Sequence, residues 1–116
     1  MALFIVVHHP DDPHQMWANE WDGDMLLKSI TTPRAVANRL TTAAARGERV
    51  YVHRCAYGGR EAVICCSCTV DSVQPITKKD ALVRFADVRA ESGVPPQAAR
   101  PGLNTYEAPI PATSRP

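Results

Sequence analysis

The spacing of apolar positions changes several times along this chain, and each change marks an element. Ala2–Val7 (ALFIVV) is an unbroken run rich in Ile, Val and Phe, the pattern of a strand covered on both faces or closing a barrel. It stops at His8-His9-Pro10-Asp11-Asp12-Pro13, because two prolines and two aspartates within six residues cannot continue a ladder. Pro10 to about Asp24 therefore reads as a loop, or a loop with one helical turn, and Met25–Ile30 resumes an extended pattern. The period then becomes helical. Thr32 is placed as an N-cap with Pro33 in the first helical position, and Val36, Leu40, Ala43 and Ala44 recur at i, i+4, i+7 and i+8 before Arg46-Gly47. The prediction is a helix over Pro33 to Arg46, the main helix of the chain.

Two β-branched runs follow, Val50–Cys55 and Ala62–Val70, joined through Ala56-Tyr57-Gly58-Gly59-Arg60-Glu61. A Gly-Gly pair between such runs is a strong hairpin signal. A two-residue turn at Gly58-Gly59 sets Cys55 opposite Ala62, His53 opposite Ile64 and Tyr51 opposite Cys66, so that these six share one face. Val50, Val52, Val63 and Cys65 share the other. The second strand runs through Cys68, Val70 and Val73, bends near Asp71-Ser72 and stops at Pro75. After a polar turn at Thr77–Asp80, Ala81–Val88 forms a further strand containing Phe85. Beyond Glu91 six prolines punctuate the chain, with Leu103, Tyr106 and Ile110 as its chief apolar anchors, and the prediction there is an extended tail.

The expected fold is α+β: a small, curved, largely antiparallel sheet or pseudo-barrel with one main amphipathic helix and a proline-rich C-terminal tail. A ferredoxin-like sandwich would need a second well-formed helix, and none is evident. A chain of 116 residues, 45% of them hydrophobic, has material for one core. Residues 1–91 are assigned to a single compact domain and 92–116 to the tail. No run of about 18 apolar residues exists for a membrane span, and MALFIVVHHPDD lacks the basic lead of a signal peptide, so no membrane partner and a cytoplasmic location are expected.

Charge changes the picture by its distribution. Residues 1–27 carry Asp11, Asp12, Glu20, Asp22 and Asp24 with no Lys or Arg, whereas 28–60 carry Lys28, Arg34, Arg39, Arg46, Arg49, Arg54 and Arg60 against Glu48 alone. If these cations share a face, a phosphate-bearing partner has a place to dock; the alternative is a solvated surface facing the acidic N-terminal loop.

The run from the helix end through the hairpin, RGERVYVHR, then AVICCSCTVDSVQPI and a strand beginning near ALVRF, resembles the centre of the PUA-like superfamily, in particular EVE domains and their ASCH and YTH relatives. The resemblance covers residues 33–90. It implies a pocket on a pseudo-barrel that accepts a single base, often a modified one, with flanking basic residues that hold the strand.

Independently of that resemblance, WANEW sets the indoles of Trp17 and Trp21 four residues apart, on one face if the segment is a helical turn, beside the amide of Asn19. Indoles stack on flat heterocycles and an amide reads a base edge; the competing use of both indoles is to plug a small sheet. His53 and Arg54 face opposite ways on a strand, and Arg54 suits bidentate phosphate binding. Cys55, Cys66, Cys68 and His53 share a face in the expected register, a chemically conceivable zinc set. However, C-x-C on a straight strand leaves its sulfurs about 7 Å apart, and reduced core thiols are the better default. His8, His9 and His14 with Asp11 and Asp12 form a His/Asp loop with no matching nucleophile.

The functional expectation is a nucleic-acid or nucleotide binding module, not an enzyme, without cofactor or metal. Trp17, Asn19, Trp21, Tyr51, His53 and Arg54 would hold the ligand, and Arg34 and Arg39 its phosphate. The alternatives are a small protein-interaction or inhibitor protein that covers a partner with this surface and its tail, and a small metal-binding protein built on the His and Cys groups.

Overall fold

The stripe Val36, Ala37, Leu40 and Ala43 is buried on α1 (Arg34–Ala45) in a computed structural model that describes residues 1–14 and 18–110. Gly47, at φ +65, ends the helix: its N–H donates to the Ala44 carbonyl at 3.0 Å and the Glu48 N–H to the Ala43 carbonyl at 2.9 Å. Both orphan carbonyls are thus satisfied through a left-handed residue, a conformation glycine adopts without a steric penalty. Pro33 holds the N-cap position with no side-chain hydrogen bond. Thr32, expected to cap, is buried in the preceding strand opposite Ala81.

The strands are β1 (Ala2–Val7), β2 (Asn19–Asp22), β3 (Leu26–Pro33), β4 (Val50–Arg54), β5 (Val63–Pro75), β6 (Asp80–Gly93) and β7 (Thr105–Ala108). They form one sheet in the order β2-β3-β6-β5-β4-β1-β7, with α1 packed against β3, β5 and β6. The α+β arrangement is therefore overturned, although strand pairing outside β1–β4 is antiparallel. Seven strands against one 12-residue helix make the chain mostly sheet. The sheet is mixed because β1 lies inside it, parallel to β4 on one side and antiparallel to β7 on the other.

Two of the strands were not expected. Asn19–Asp22 was read as loop and Thr105–Ala108 as tail, and each is four residues long, too short for alternation to register as a pattern. They are strands because β3 and β1 each offer a row of unpaired backbone groups, which a neighbouring extended segment satisfies.

Alternation along β1 sorts the interior into two clusters. Leu3, Ile5 and Val7 join the α1 stripe, Leu27, Val50, Val52, Val83 and the cysteines Cys65, Cys66 and Cys68 in the main core. Ala2 and Phe4 turn to the other face, with Tyr51, Ile64, Tyr106 and Ala108. The hairpin turn is as expected: Gly58 and Gly59 both have positive φ, and Tyr57 and Arg60 exchange backbone hydrogen bonds at 3.1 and 3.0 Å, the geometry of a type I′ turn. His53 pairs with Ile64, but a bulge beside Val52 slips the rest, so Tyr51 faces Ser67 and Val52 faces Cys66. That one-residue slip carries Cys66 to the helix side of the sheet, away from His53.

Candidate cleft between β1 and β3

β7 covers β1 only from Ala2 to Ile5. Beyond that point the free side of β1 opens on a cleft of about 570 Å³, within the range of small-molecule sites. One wall is Ile5, Val6, Val7 and His8; the facing wall is Ile30, Thr31, Thr32 and Pro33 of β3, with Val36 of α1. Asn19 and Cys55 complete the sides, and residues 99–104 close over it. That last segment is built around a turn: the Leu103 N–H donates to the Arg100 carbonyl at 3.1 Å, with Pro101 and a left-handed Gly102 at φ +79 between them, the sequence signature of a type II turn. The Val6 N–H donates to the Asn104 carbonyl at 2.9 Å and ties the turn to β1.

Among the described residues, the polar residues of the lining are Asn19, Asn104, Thr31, Thr32, Arg100, His8 and Cys55. Nδ1 of His8 lies 3.2 Å from Oδ2 of Asp12. The His14 backbone N–H, donating to Asp12 Oδ1 at 2.9 Å, holds the Asp12 carboxyl below its ordinary value, and His8 adds to this. Burial pushes the Cys55 thiol up, and the Asp12 charge pushes it further. Cys55 is therefore a neutral thiol at physiological pH, the opposite of an activated nucleophile.

Of the eight ligand residues expected from sequence, Asn19 is the one among the described residues that lines this cleft. Trp17 lies outside the described residues. Trp21 is not on a helical turn but on β2, where the alternation turns it inward against the main core. Its Nε1 is buried without a partner among the described residues.

Tyr51 and His53 are brought together, but away from the cleft and in the interior. The Tyr51 ring stacks on Phe4 at 5.4 Å and Phe4 on Tyr106 at 4.9 Å, while His53 Nδ1 and the Tyr106 hydroxyl are hydrogen-bonded at 2.8 Å. Burial holds the His53 imidazole below its ordinary value. It pushes the Tyr106 phenol up to about 12, with Cys55 nearby adding to the shift.

Arg54 is 5% exposed and holds the β2–β3 turn, through the Asp24 carbonyl and Met25 Sδ. Asp24 in turn receives Arg60 from the β4–β5 hairpin at 2.7 Å, and Tyr57 of that hairpin stacks on the buried His9 at 5.7 Å. These groups staple three loops at one end of the sheet. Arg39 donates to Thr105 Oγ1 at 2.6 Å and ties α1 to β7. Arg34, exposed at the start of α1, donates to the Thr77 carbonyl at 3.2 Å. Of the basic residues of 28–60, Lys28, Arg46, Arg49, Arg54 and Arg60 each sit beside a carboxylate.

The cysteine and histidine set is also split. Cys65, Cys66 and Cys68 are reduced and wholly buried in the main core, Cys55 faces the cleft, and His53 sits in the aromatic cluster. No group of three or more His, Cys, Asp or Glu side chains suited to a metal ion occurs among the described residues. Nor is any helix among them long and apolar enough to cross a membrane.

Sequence reasoning missed Arg100 and Asn104. The signal was the Arg-Pro-Gly-Leu run at 100–103, a β-turn signature hidden among the prolines of a segment read as extended. No known protein family matches this chain, and neither a curated protein nor a solved structure does.

Proposed function

We propose that the cleft between β1 and β3 binds a nucleobase, which makes this chain a nucleic-acid or nucleotide binding module and not an enzyme. The observation that carries the reading is the arrangement of the lining: aliphatic walls from Ile5, Val7, Ile30, Val36 and Leu103, with amides at Asn19 and Asn104 and a guanidinium at Arg100. A flat heterocycle packs its faces on such walls, and each amide offers a donor and an acceptor to its edge. Arg100 suits a phosphate oxygen. The EVE-like sequence of residues 33–90 points to the same ligand class. Cys55, the thiol among the described residues that line the cleft, is held protonated by burial and by Asp12, which argues for binding over thiolate chemistry.

The test is thermal stability against a panel of nucleosides, their monophosphates and base-modified analogues. A ligand at 100 times its dissociation constant should add about 2.7 kcal/mol, and Asn19→Ala should abolish most of that shift while leaving the unliganded melting temperature in place. Melting that stays constant across the whole panel would sink the proposal.

A further inference from the structure

The first turn of α1 meets the cleft uncapped. Pro33 stands at the N-cap without a side-chain hydrogen bond, and no acidic residue occupies the first turn. The Arg34 N–H is taken by the Lys79 carbonyl at 2.9 Å. The N–H groups of Ala35 and Val36 come too early in the helix for an intrahelical acceptor, and neither has a partner among the described residues. Pro33 and Val36 both line the cleft. The positive end of the helix dipole is therefore left unanswered at this wall.

A second group points to the same place. Thr32 is paired with Ala81 and Ile30 with Val83, and Ile30, Ala81 and Val83 all belong to the main core. Alternation thus turns the Thr32 side chain to that face, where Ile30 and Val36 line the cleft with it. Thr32 is only 6% exposed, and its hydroxyl has no hydrogen-bond partner among the described residues. A buried hydroxyl left unpaired is unfavourable, and a ligand oxygen would relieve it. Arg100 belongs to the lining, and no carboxylate does among the described residues; Asp12, bonded to His8, is outside it.

From these observations we infer that the α1 end of the cleft is an oxyanion site that takes a phosphate group. Its donors are the Ala35 and Val36 N–H groups, the Thr32 hydroxyl and the Arg100 guanidinium, and the oxygens of a phosphate offer an acceptor to each. The site does not depend on a base filling the rest of the cleft. Inorganic phosphate alone carries every atom that it recognises.

The experiment follows the backbone amide resonances of the full chain in titrations with inorganic phosphate, a nucleoside and its monophosphate at fixed ionic strength, with chloride as the control anion. Phosphate should shift the Ala35 and Val36 amides more than any others, and saturably. Thr32→Val keeps the shape of the side chain without its hydroxyl and should weaken phosphate roughly tenfold. Pro33→Asp sets a carboxylate on the same N–H groups and should abolish the shifts, with the chain still folded by circular dichroism. If phosphate leaves both amides in place, if chloride moves them as far, or if Thr32→Val keeps full affinity, the oxyanion site falls. A monophosphate that binds more tightly than both inorganic phosphate and the nucleoside joins this site to the base site. Equal affinity for phosphate and monophosphate keeps the oxyanion site and sinks the base site.

Discussion

The aromatic cluster and the cleft both draw on β1, and they use polar groups in opposite ways. In the cluster, Tyr51, Phe4 and Tyr106 stack on one another and His53 is bonded to the Tyr106 hydroxyl; the groups with the most recognition chemistry are spent on each other. In the cleft, the walls are plain aliphatic residues, with Asn19, Asn104 and Arg100 among the polar residues of the lining. A ring or an imidazole is a ligand-binding group only where the fold leaves it unused, and residue type alone does not say where that is.

The comparison predicts that substitutions in the cluster act on stability and substitutions in the cleft on binding. The largest expected effect is at Phe4, fully buried between two rings: Phe4→Ala should lower the unfolding free energy in urea by about 3–5 kcal/mol, while any protein still folded keeps its nucleotide affinity. Next, Tyr106→Phe removes the partner of His53 Nδ1 and should cost about 1–3 kcal/mol by the same measurement, because a buried acceptor or donor is left unpaired.

The third effect is pH. His53 is held below its ordinary value in the fold, so the unfolded chain binds the extra proton first. The contribution of a neutral His53 is present in full above about pH 6.5 and is lost as pH falls from there toward the folded value, by at most about 1.4 kcal/mol per pH unit. Urea midpoints at pH 7.5 and 5.5 check this, and His53→Gln should flatten the difference. Asp12, also held low, makes a contribution that is constant above about pH 4 and is lost only below it, so it does not confuse the window.

The smallest stability effect belongs to the cleft. Arg100→Ala should change unfolding by no more than about 0.5 kcal/mol but weaken nucleotide monophosphates roughly tenfold by calorimetry, the worth of one charge-assisted hydrogen bond. A loss of stability at Arg100 comparable to that at Tyr106, with affinity intact, would erase the distinction between the two regions.

Legibility in the sequence followed the length of each signal. The α1 stripe, the Gly47 stop and the Gly58-Gly59 turn are local and were readable, because backbone conformation and apolar spacing act within a few residues. The two four-residue strands were not, since their pairing depends on the free edges of β1 and β3. Asn19 was recognised as a recognition group for the wrong neighbours: it stands beside a strand wall, with Trp21 turned into the core.

The sequence alone thus determined where the chain turns, which stretches are apolar enough to be buried, and that a Gly-Gly hairpin follows one amphipathic helix. Tertiary structure decided that β1 lies inside the sheet with β7 at its edge, which aromatic and basic groups find partners, and that a Pro-Gly turn from residues 99–104 roofs the cleft. The physical reason is that backbone propensity is a property of neighbours along the chain. Whether a ring, a thiol or a guanidinium is satisfied or left over is settled only by what the folded chain brings against it.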